Sequence, residues 1–208
     1  MSHQVPILER LLSANAQWAD AVQQSDPKFF PTSSKGQYPK VLWIGCADSR
    51  VPESVITNAK PGDIFVHRNI ANQFNSKDDS AHSVLAYAVK VVGVEHVVVV
   101  GHTRCGGAIA CYDASRKPPA NPESPLDRWL TPLTELARSL NLPPDRDAAI
   151  SVLIEENVKE QVKTVCQAEP IQSSWKPQEK GKPVSVHGWI YDIATGRIKD
   201  LNITQPTQ

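Results

Sequence analysis

The sequence lacks the features of a membrane protein, a nucleic-acid-binding protein or a secreted disulfide scaffold. Its longest apolar runs, such as residues 97–100, are far shorter than the roughly 20 residues of a membrane-spanning helix. Lys plus Arg and Asp plus Glu each total 22, so no excess of basic charge is present for nucleic acid or anionic lipid. Its four cysteines are not densely spaced, and no signal peptide is recognised before them. We therefore predict reduced thiols in a cytoplasmic protein with no nucleic-acid partner and no membrane partner.

The chain also lacks internal repeats, a Walker loop and a G-x-G-x-x-G motif, so nucleotide binding has no support. Its 208 residues suffice for one substantial hydrophobic core. We expect a single domain over residues 1–208, in which residues 1–36 form an N-terminal helical arm and connector and residues 37–208 form the core. Apolar residues at helical spacing between Ile7 and Val22 predict the arm helix and offer a face to a partner subunit.

What the sequence does contain is an alternation of strand and helix patterns. Residues 41–44 and 97–100 are short, apolar and rich in β-branched side chains, which predicts strands buried on both faces of a parallel sheet. A helical pattern over residues 78–92 lies between them and ends at Gly93. Two more helices and a strand hairpin are predicted at residues 126–140, 147–168, 184–191 and 197–200. The predicted fold class is α/β, with a central, mostly parallel β-sheet flanked by helices, an N-terminal helical arm and a C-terminal strand hairpin.

Cysteine and histidine follow the two buried strands near the point where each strand ends. Cys46 comes after the first strand, and His102 and Cys105 come after the second. Side chains just past parallel strands converge at the carboxyl edge of the sheet. Zinc prefers thiolate and imidazole, and a catalytic site uses three protein ligands so that a fourth position stays open. The three residues therefore predict a zinc site, although a lone buried cysteine is more often a small apolar residue than a ligand.

Several further residues flank these ligands. Asp48 and Arg50 lie close to the expected open position. A carboxylate held by arginine can accept a hydrogen bond from hydroxide on the metal, whereas a freed carboxylate could occupy the fourth position itself. The alternative is an ion pair that only stabilises the loop. Gly106 and Gly107 let the backbone approach the metal, and the helix that begins there offers amide donors to a bound anion; an ordinary tight turn is the other interpretation.

The stretch Cys46-Ala47-Asp48-Ser49-Arg50, taken with His102-x-x-Cys105-Gly106-Gly107, resembles the paired signature of β-class carbonic anhydrases. The resemblance extends through residues 61–72, 87–89 and 187–192, and it covers nearly the whole chain after about residue 37. It implies an enzyme that reversibly hydrates carbon dioxide to bicarbonate and a proton through zinc-bound hydroxide. It also implies one zinc ion per subunit and a homodimer or a dimer of dimers.

By this resemblance Cys46, His102 and Cys105 bind zinc, and Asp48 with Arg50 forms the catalytic pair that controls the fourth position. Whether Asp48 ligates zinc at rest or pairs with Arg50 stays open at this point.

The resemblance also indicates which residues bind the substrate. Gln37, Phe65 and Tyr87 are expected to line the carbon dioxide pocket, partly from the neighbouring subunit, together with Gly106 and Gly107 beside the metal. Taken alone, Phe65 and Tyr87 would be interpreted as ordinary core aromatics.

The chain departs from some plant-type members at one position. Those members carry a histidine, considered a proton shuttle, four residues beyond the equivalent of Tyr87, where this chain has Val91. The shuttle therefore stays unassigned.

A regulatory site is implied by three other positions. Trp43, Arg68 and Tyr191 match the residues that form a noncatalytic bicarbonate pocket in one subgroup of the family. The affinity of arginine for anions is the physical basis. All three residues also suit purely structural roles.

Two other functions use the same residues. Hydrolysis of carbonyl sulfide or carbon disulfide requires the same attack on a linear triatomic molecule, and the zinc signature does not separate these substrates from carbon dioxide. A noncatalytic zinc module is the alternative of a different class, but closed structural sites usually have four ligands, and Cys111 and Cys166 lack the spacing to complete such a set. A cysteine phosphatase built on Cys46 and Arg50 fails, because too few backbone amides lie between them to bind a phosphate.

Overall fold

The computed structural model describes residues 6–176 and 183–206, and the chain divides into two compact units, Met1–Gln37 and Tyr38–Gln208. The first unit contains helices α1 (Ile7–Ser25) and α2 (Phe29–Ser33). α1 forms where the apolar spacing predicted a helix, but none of its residues is buried. A stripe of its large apolar side chains is exposed: Ile7, Leu8, Leu11 and Leu12. α2 lies within the predicted connector, where the rings of Phe30 and Trp18 pack edge to face with centroids 5.7 Å apart.

The second unit is built on a five-stranded sheet in the order β2-β1-β3-β4-β5. The strands are β1 (Val41–Cys46), β2 (Ile64–Asn69), β3 (His96–His102), β4 (Ser185–Asp192) and β5 (Arg197–Asp200). The first four run parallel, and β5 pairs antiparallel with β4. The predicted α/β fold, its mostly parallel sheet and its C-terminal hairpin are therefore confirmed. β1 and β3 lie at the centre and are buried on both faces, which explains their continuous apolar sequences.

Helices cover the sheet and complete the second unit. They are α3 (Glu53–Ile56), α4 (Asp79–Tyr87), α5 (Gly106–Ser115), α6 (Pro125–Ser139), α7 (Arg146–Gln167) and α8 (Glu169–Ser174). α4 continues into a π turn, Ala88–Val92, and Gly93 ends it in the left-handed conformation with φ of 78°. Side-chain caps begin α4, α6 and α7, including a capping box between Ser124 and Asp127 at α6. The sequence patterns did not predict helices α2 and α8.

Helix α7 lies directly against the centre of the sheet. A Cβ atom placed at Gly101 of β3 or Gly188 of β4 would come within 2.7 or 2.9 Å of a methyl carbon of Val158. The two glycines therefore permit the close approach, and Leu153 of the same helix is fully buried. None of the described helices is long and apolar enough to cross a membrane.

Candidate metal centre

Two strand ends and one helix start bring the predicted ligands together. Cys46 is the last residue of β1, His102 is the last residue of β3, and Cys105 is the residue that caps α5. β1 and β3 pair in parallel, so their carboxyl ends meet at one edge of the sheet. The sulfur atoms and one imidazole nitrogen lie within 4.8 Å of one another, and all three residues are buried. Within residues 6–176 and 183–206, this is the one group of three or more His, Cys, Asp or Glu side chains close enough to share an ion.

The imidazole of His102 is oriented by its backbone neighbour. Its Nδ1 lies 3.0 Å from the carbonyl oxygen of Thr103, which can only accept, so Nδ1 carries the proton. Nε2 then carries an unshared electron pair, and this nitrogen is buried without a hydrogen-bond partner. Thr103 is itself held by the end of β4, through its N–H to Tyr191 and its hydroxyl to Asp192. A buried acceptor without a partner, next to two sulfurs, fits a metal ligand.

The two thiols interact with each other. The interaction with Cys105 lowers the pKa of Cys46, and the same interaction, added to burial, raises the pKa of Cys105. Nearby backbone amides, of Asp48 and Ala71 at Cys46 and of Ala108 and Gly107 at Cys105, act to lower the pKa of both thiols. Such surroundings favour thiolates, and a divalent cation binds thiolates with release of their protons. The donor set of two sulfurs and one imidazole therefore fits zinc.

Asp48 is paired with Arg50 beside this cluster. The guanidinium donates to both carboxylate oxygens, from Nε to Oδ1 at 2.9 Å and from a terminal nitrogen to Oδ2 at 2.6 Å. Arg50 also donates to the carbonyl oxygen of Arg104 at 3.3 Å. The hydrogen bond from Arg50 holds the pKa of the Asp48 carboxyl well below its usual range, although desolvation opposes the shift. Asp48 Oδ2 lies 3.9 Å from Nε2 of His102, so an ionised carboxylate faces the cluster without joining it.

Arg68 stabilises the loop that follows Cys46. It donates from Nε to the carbonyl oxygen of Cys46 at 2.8 Å and from a terminal nitrogen to that of Asp48 at 2.6 Å. Its third nitrogen lies 3.7 Å from a carboxylate oxygen of Glu53. The guanidinium of Arg68, which the sequence predicts in a regulatory bicarbonate pocket, thus donates hydrogen bonds to the loop that contains Cys46 and Asp48.

The two aromatic residues of the predicted regulatory site lie on β1 and β4. A Cβ at Gly45, which pairs with Arg68, would overlap Nε1 of Trp43, so the Trp43 indole lies beside the strand position of Arg68. Trp43 is buried in β1 and packs edge to face against Trp189, with ring centroids 6.3 Å apart. Tyr191 contributes its carbonyl oxygen to Thr103. The regulatory role of Trp43, Arg68 and Tyr191 stays a prediction, which a comparison of bicarbonate inhibition between wild type and Trp43→Ala tests.

Two of the predicted substrate-pocket residues, Phe65 and Tyr87, lie away from the ligands of the same subunit. The rings of Phe65 and Tyr87 stack with centroids 5.9 Å apart and planes 23° apart. Phe65 pairs with Leu42, four residues before Cys46 on β1, which corresponds to roughly 13 Å along the strand. Tyr87 is 48% exposed. Gln37 is the last residue of the first unit and is exposed, and its predicted role stays a prediction.

The two glycines after Cys105 act differently from the expectation. A Cβ at Gly106 would meet no atom within 4 Å, so this residue is not needed for a close approach. A Cβ at Gly107 would lie 2.9 Å from Cβ of Ala71, so the tight contact is with the turn after β2 rather than with the metal position. The N–H groups of Gly107 and Ala108 are directed at the sulfur of Cys105. The backbone amides at the helix start therefore act on the sulfur of Cys105. Their role as donors to a bound anion stays a prediction.

The turn after β2 is a part of the centre that the sequence patterns missed. Ala71 has φ of 61° and ψ of 31°, and Asn72 has φ of 47°. Both are in the left-handed region, which is uncommon for residues other than glycine and costs on the order of 1–3 kcal/mol for each residue. Asn72 is of a residue type that favours this region, but nothing in the sequence signals the same conformation at Ala71, so sequence reasoning missed the alanine.

Comparisons with known proteins agree with this geometry. The model of the carbonic anhydrase family matches residues 41–198. A carbonic anhydrase from Emericella nidulans is 37% identical over 202 residues, which cover 95% of this chain and 85% of that protein. The β-carbonic anhydrase CafA of Aspergillus fumigatus superposes with a TM-score of 0.83 at 38% identity and covers 95% of this chain and 91% of that one. A tetrameric β-carbonic anhydrase from Sordaria macrospora gives a TM-score of 0.81 at 34% identity, with 95% and 98% covered.

Proposed function

This chain belongs to the β-class carbonic anhydrase family, enzymes that reversibly hydrate carbon dioxide to bicarbonate and a proton, and we propose that Cys46, His102 and Cys105 hold its one zinc ion per subunit. Zinc, when bound, supplies Lewis acidity that makes a water molecule nucleophilic near neutral pH. The rest of the proposal concerns what the chain's own residues contribute to the reaction.

One observation carries the proposal: the unpartnered Nε2 of His102 lies buried within 4.8 Å of two cysteine sulfurs. A buried acceptor without a partner costs about 1–3 kcal/mol, and an ion shared with the two neighbouring sulfurs would satisfy this one. Three ligands from the protein leave a fourth position for the reacting water.

Asp48 orients the nucleophile, and Arg50 keeps Asp48 away from the metal. Because the pKa of Asp48 is far below neutral, its carboxylate is ionised at working pH and can only accept hydrogen bonds. It therefore accepts one from the attacking water and directs the oxygen lone pair towards carbon dioxide. The two-point contact with Arg50 holds both carboxylate oxygens, which prevents Asp48 from taking the fourth position itself.

Phe65 and Tyr87 form an apolar wall for the substrate of a neighbouring subunit. Phe65 lies roughly 13 Å along the strand from the ligand position of its own subunit, and Tyr87 stacks on Phe65. This separation supports the assignment. A linear apolar molecule is bound best between aromatic and aliphatic side chains, and the amide of Gln37 would hold an oxygen of bicarbonate.

A pocket lined by Phe65 and Tyr87 of a neighbouring subunit requires the subunits to associate. Large apolar side chains of the second unit are exposed, among them Val55 at 75%, Tyr87 at 48% and Val91 at 66%, and the apolar stripe of α1 adds to them. The Sordaria macrospora relative is tetrameric. A homodimer or a dimer of dimers is expected to have two or four times the subunit mass of 22.9 kDa by light scattering. Val91→Asp should lower the mass and the activity together, and a fully active monomer would contradict the proposal.

A cytoplasmic location completes the proposal. All four cysteines are free, and thiolate ligands persist in a reducing compartment. Fractionation of cells with an antibody against the chain tests this assignment, and recovery in a membrane or secreted fraction would contradict it.

The zinc content and the hydration rate of the purified protein test the function together. We expect one zinc per chain and rapid hydration of carbon dioxide, followed by stopped flow with a pH indicator. Removal of zinc with dipicolinate should reduce the rate to that of buffer, and one equivalent of zinc should restore it. Cys111→Ala serves as the control, because it removes a thiol that lies outside the cluster. A stripped protein that keeps its full rate would refute the proposal.

A further inference from the structure

A cluster of buried amide side chains lies behind the metal centre. Gln73, Asn157 and Gln161 are 4%, 2% and 8% exposed. Asn157 and Gln161 are one turn apart on α7, and Gln73 follows the turn after β2. Across the described parts of the chain, the other buried polar residues are Asn72, in that same turn, and His102. Nearly all buried polar side chains are thus concentrated beside one turn.

Hydrogen bonds join these amides into one network that ends on the backbone of Ala71. Asn157 Oδ1 accepts from the side-chain amides of Gln73 at 2.7 Å and Gln161 at 3.1 Å. The carbonyl oxygen of Ala71 accepts from Asn157 Nδ2 at 3.0 Å and from Gln73 Nε2 at 2.8 Å. Gln161 Oε1 accepts from the backbone N–H of Phe74 at 2.8 Å. A buried network with its members satisfied holds one geometry rigidly.

Ala71 is the point where this network meets the metal centre. It is fully buried and left-handed, a conformation that persists only where the surroundings impose it. Its carbonyl accepts hydrogen bonds from the side chains of Asn157 and Gln73, and a Cβ at Gly107, two residues after the ligand Cys105, would lie 2.9 Å from the Cβ of Ala71. Asn69 pairs with Cys46 across β1 and β2, and its carbonyl oxygen accepts from the N–H of Ala47 at 2.8 Å, which fixes the other side of the turn. The turn at Ala71 therefore lies between α7 and the backbone that carries two of the metal ligands.

We propose that Asn157 is a positioning residue for the metal centre, which holds Ala71 by its carbonyl and so fixes the turn that packs against the strand end of Cys46 and the helix start of Cys105. The inference rests on the proposed function, because it requires Cys46 and Cys105 to be metal ligands. Partners behind metal ligands fix the orientation of those ligands and tune the metal.

The competing role for Asn157 is structural, and it predicts a different result. An amide that only fills the interior would change the stability of the fold and leave the electronic state of the sulfur unaltered. A measurement that reports on the metal–sulfur bond separates the two roles.

The test uses full-length protein loaded with cobalt(II) in place of zinc. Asn157→Asp keeps the shape of the side chain but replaces the donor to Ala71 with an oxygen. The charge-transfer band from thiolate to cobalt should shift, since the backbone around the two sulfurs is no longer held in one geometry. Release of zinc to a chromogenic chelator should become about 10-fold faster. Val165→Ala is the control, because it removes buried methyl groups from the same helix and should lower the melting temperature without changing either readout.

A second variant covers the case in which Asn157→Asp does not fold. Gln161→Met removes a support of Asn157 while the bond from Asn157 to Ala71 can remain, so smaller changes in the same direction are expected. The inference is overturned if the folded variants match Val165→Ala in cobalt band and zinc release at a comparable melting temperature. If wild type binds neither cobalt nor zinc, the proposed function fails first, and the inference fails with it.

Discussion

The four cysteines lie in two environments that give the same side chain different chemistry. At the sheet edge, Cys46 and Cys105 lie beside each other, and nearby backbone amides act to lower the pKa of both thiols. On the helices, Cys111 donates its S–H to the carbonyl oxygen of Leu130 at 3.6 Å, and burial alone shifts the pKa of Cys166. Burial raises the pKa of both helical thiols, and that of Cys166 to about 11.

The difference comes from the backbone around each sulfur. A strand end and a helix start present N–H groups that are not used in regular secondary structure, whereas the interior of a helix has none to offer. Thiolates are stabilised only in the first situation. The comparison teaches that position relative to a strand end or a helix start, rather than burial, separates a ligand cysteine from an apolar one.

The largest expected effect distinguishes the two environments directly. Cys46→Ala should eliminate bound zinc and reduce hydration to the uncatalysed rate, because it removes both a charge and a ligand from the site. Cys111→Ala should keep zinc and activity and lower stability by about 1 kcal/mol. Metal analysis and stopped-flow hydration on both variants measure this contrast. Equal loss of zinc in the two variants would break the comparison.

The next effect concerns the carboxylate beside the sheet-edge cysteines. Asp48→Asn should keep zinc but lower kcat/KM roughly 100-fold, as expected for loss of a group that handles the reacting proton. Asp113→Asn is a matched control, since Asp113 also pairs with an arginine, Arg146, at 2.9 Å but lies away from the cluster. Equal activity of Asp48→Asn and Asp113→Asn would show that the Asp48 pair is only structural.

A smaller effect is expected at the helix start that serves Cys105. Gly107→Ala should destabilise the protein by about 1–3 kcal/mol, because its Cβ would overlap Cβ of Ala71. Faster zinc release should accompany the change, since the N–H of Gly107 donates to Cys105. Gly106→Ala meets open space and should be neutral or slightly stabilising. Thermal melts of both variants decide the matter, and indistinguishable melts would contradict the packing argument.

The smallest effect is on reactivity rather than activity. With a pKa raised to about 11, Cys166 is ionised in about one molecule in a thousand at pH 8, so iodoacetamide should modify it slowly. The rate should rise about tenfold per pH unit up to about pH 11, because a raised pKa moves thiolate formation to alkaline solution. Mass spectrometry follows the modification of Cys166. The rate at which the zinc-loaded protein hydrates carbon dioxide should be unchanged after modification. A rate independent of pH would show that burial does not control this thiol.

Part of this arrangement could be predicted from sequence, for physical reasons. Cys46 and His102 follow apolar β-branched runs, and the carboxyl ends of parallel strands converge, so their meeting with Cys105 was foreseeable. The closeness of Asp48 and Arg50 follows from their spacing of two residues, but the sequence leaves open whether Asp48 pairs with Arg50, as the structure has it, or ligates zinc.

Other parts depend on tertiary structure that leaves no local pattern. The left-handed Ala71 carries none of the glycine or asparagine signals of such a turn. The strand register sets Phe65 far from the ligands of its own subunit, and the role of Gly107 depends on a residue that packs against it from another turn. Asn157 and Gln161 read as ordinary polar positions of a helix until the fold buries them.

The most direct test of the central claim is X-ray absorption at the zinc edge of the purified protein. The account predicts two sulfur neighbours at about 2.3 Å, one imidazole nitrogen at about 2.0–2.1 Å and one further light atom in the fourth position. A zinc ion with no sulfur neighbour, or with four protein ligands of sulfur and imidazole, would contradict it.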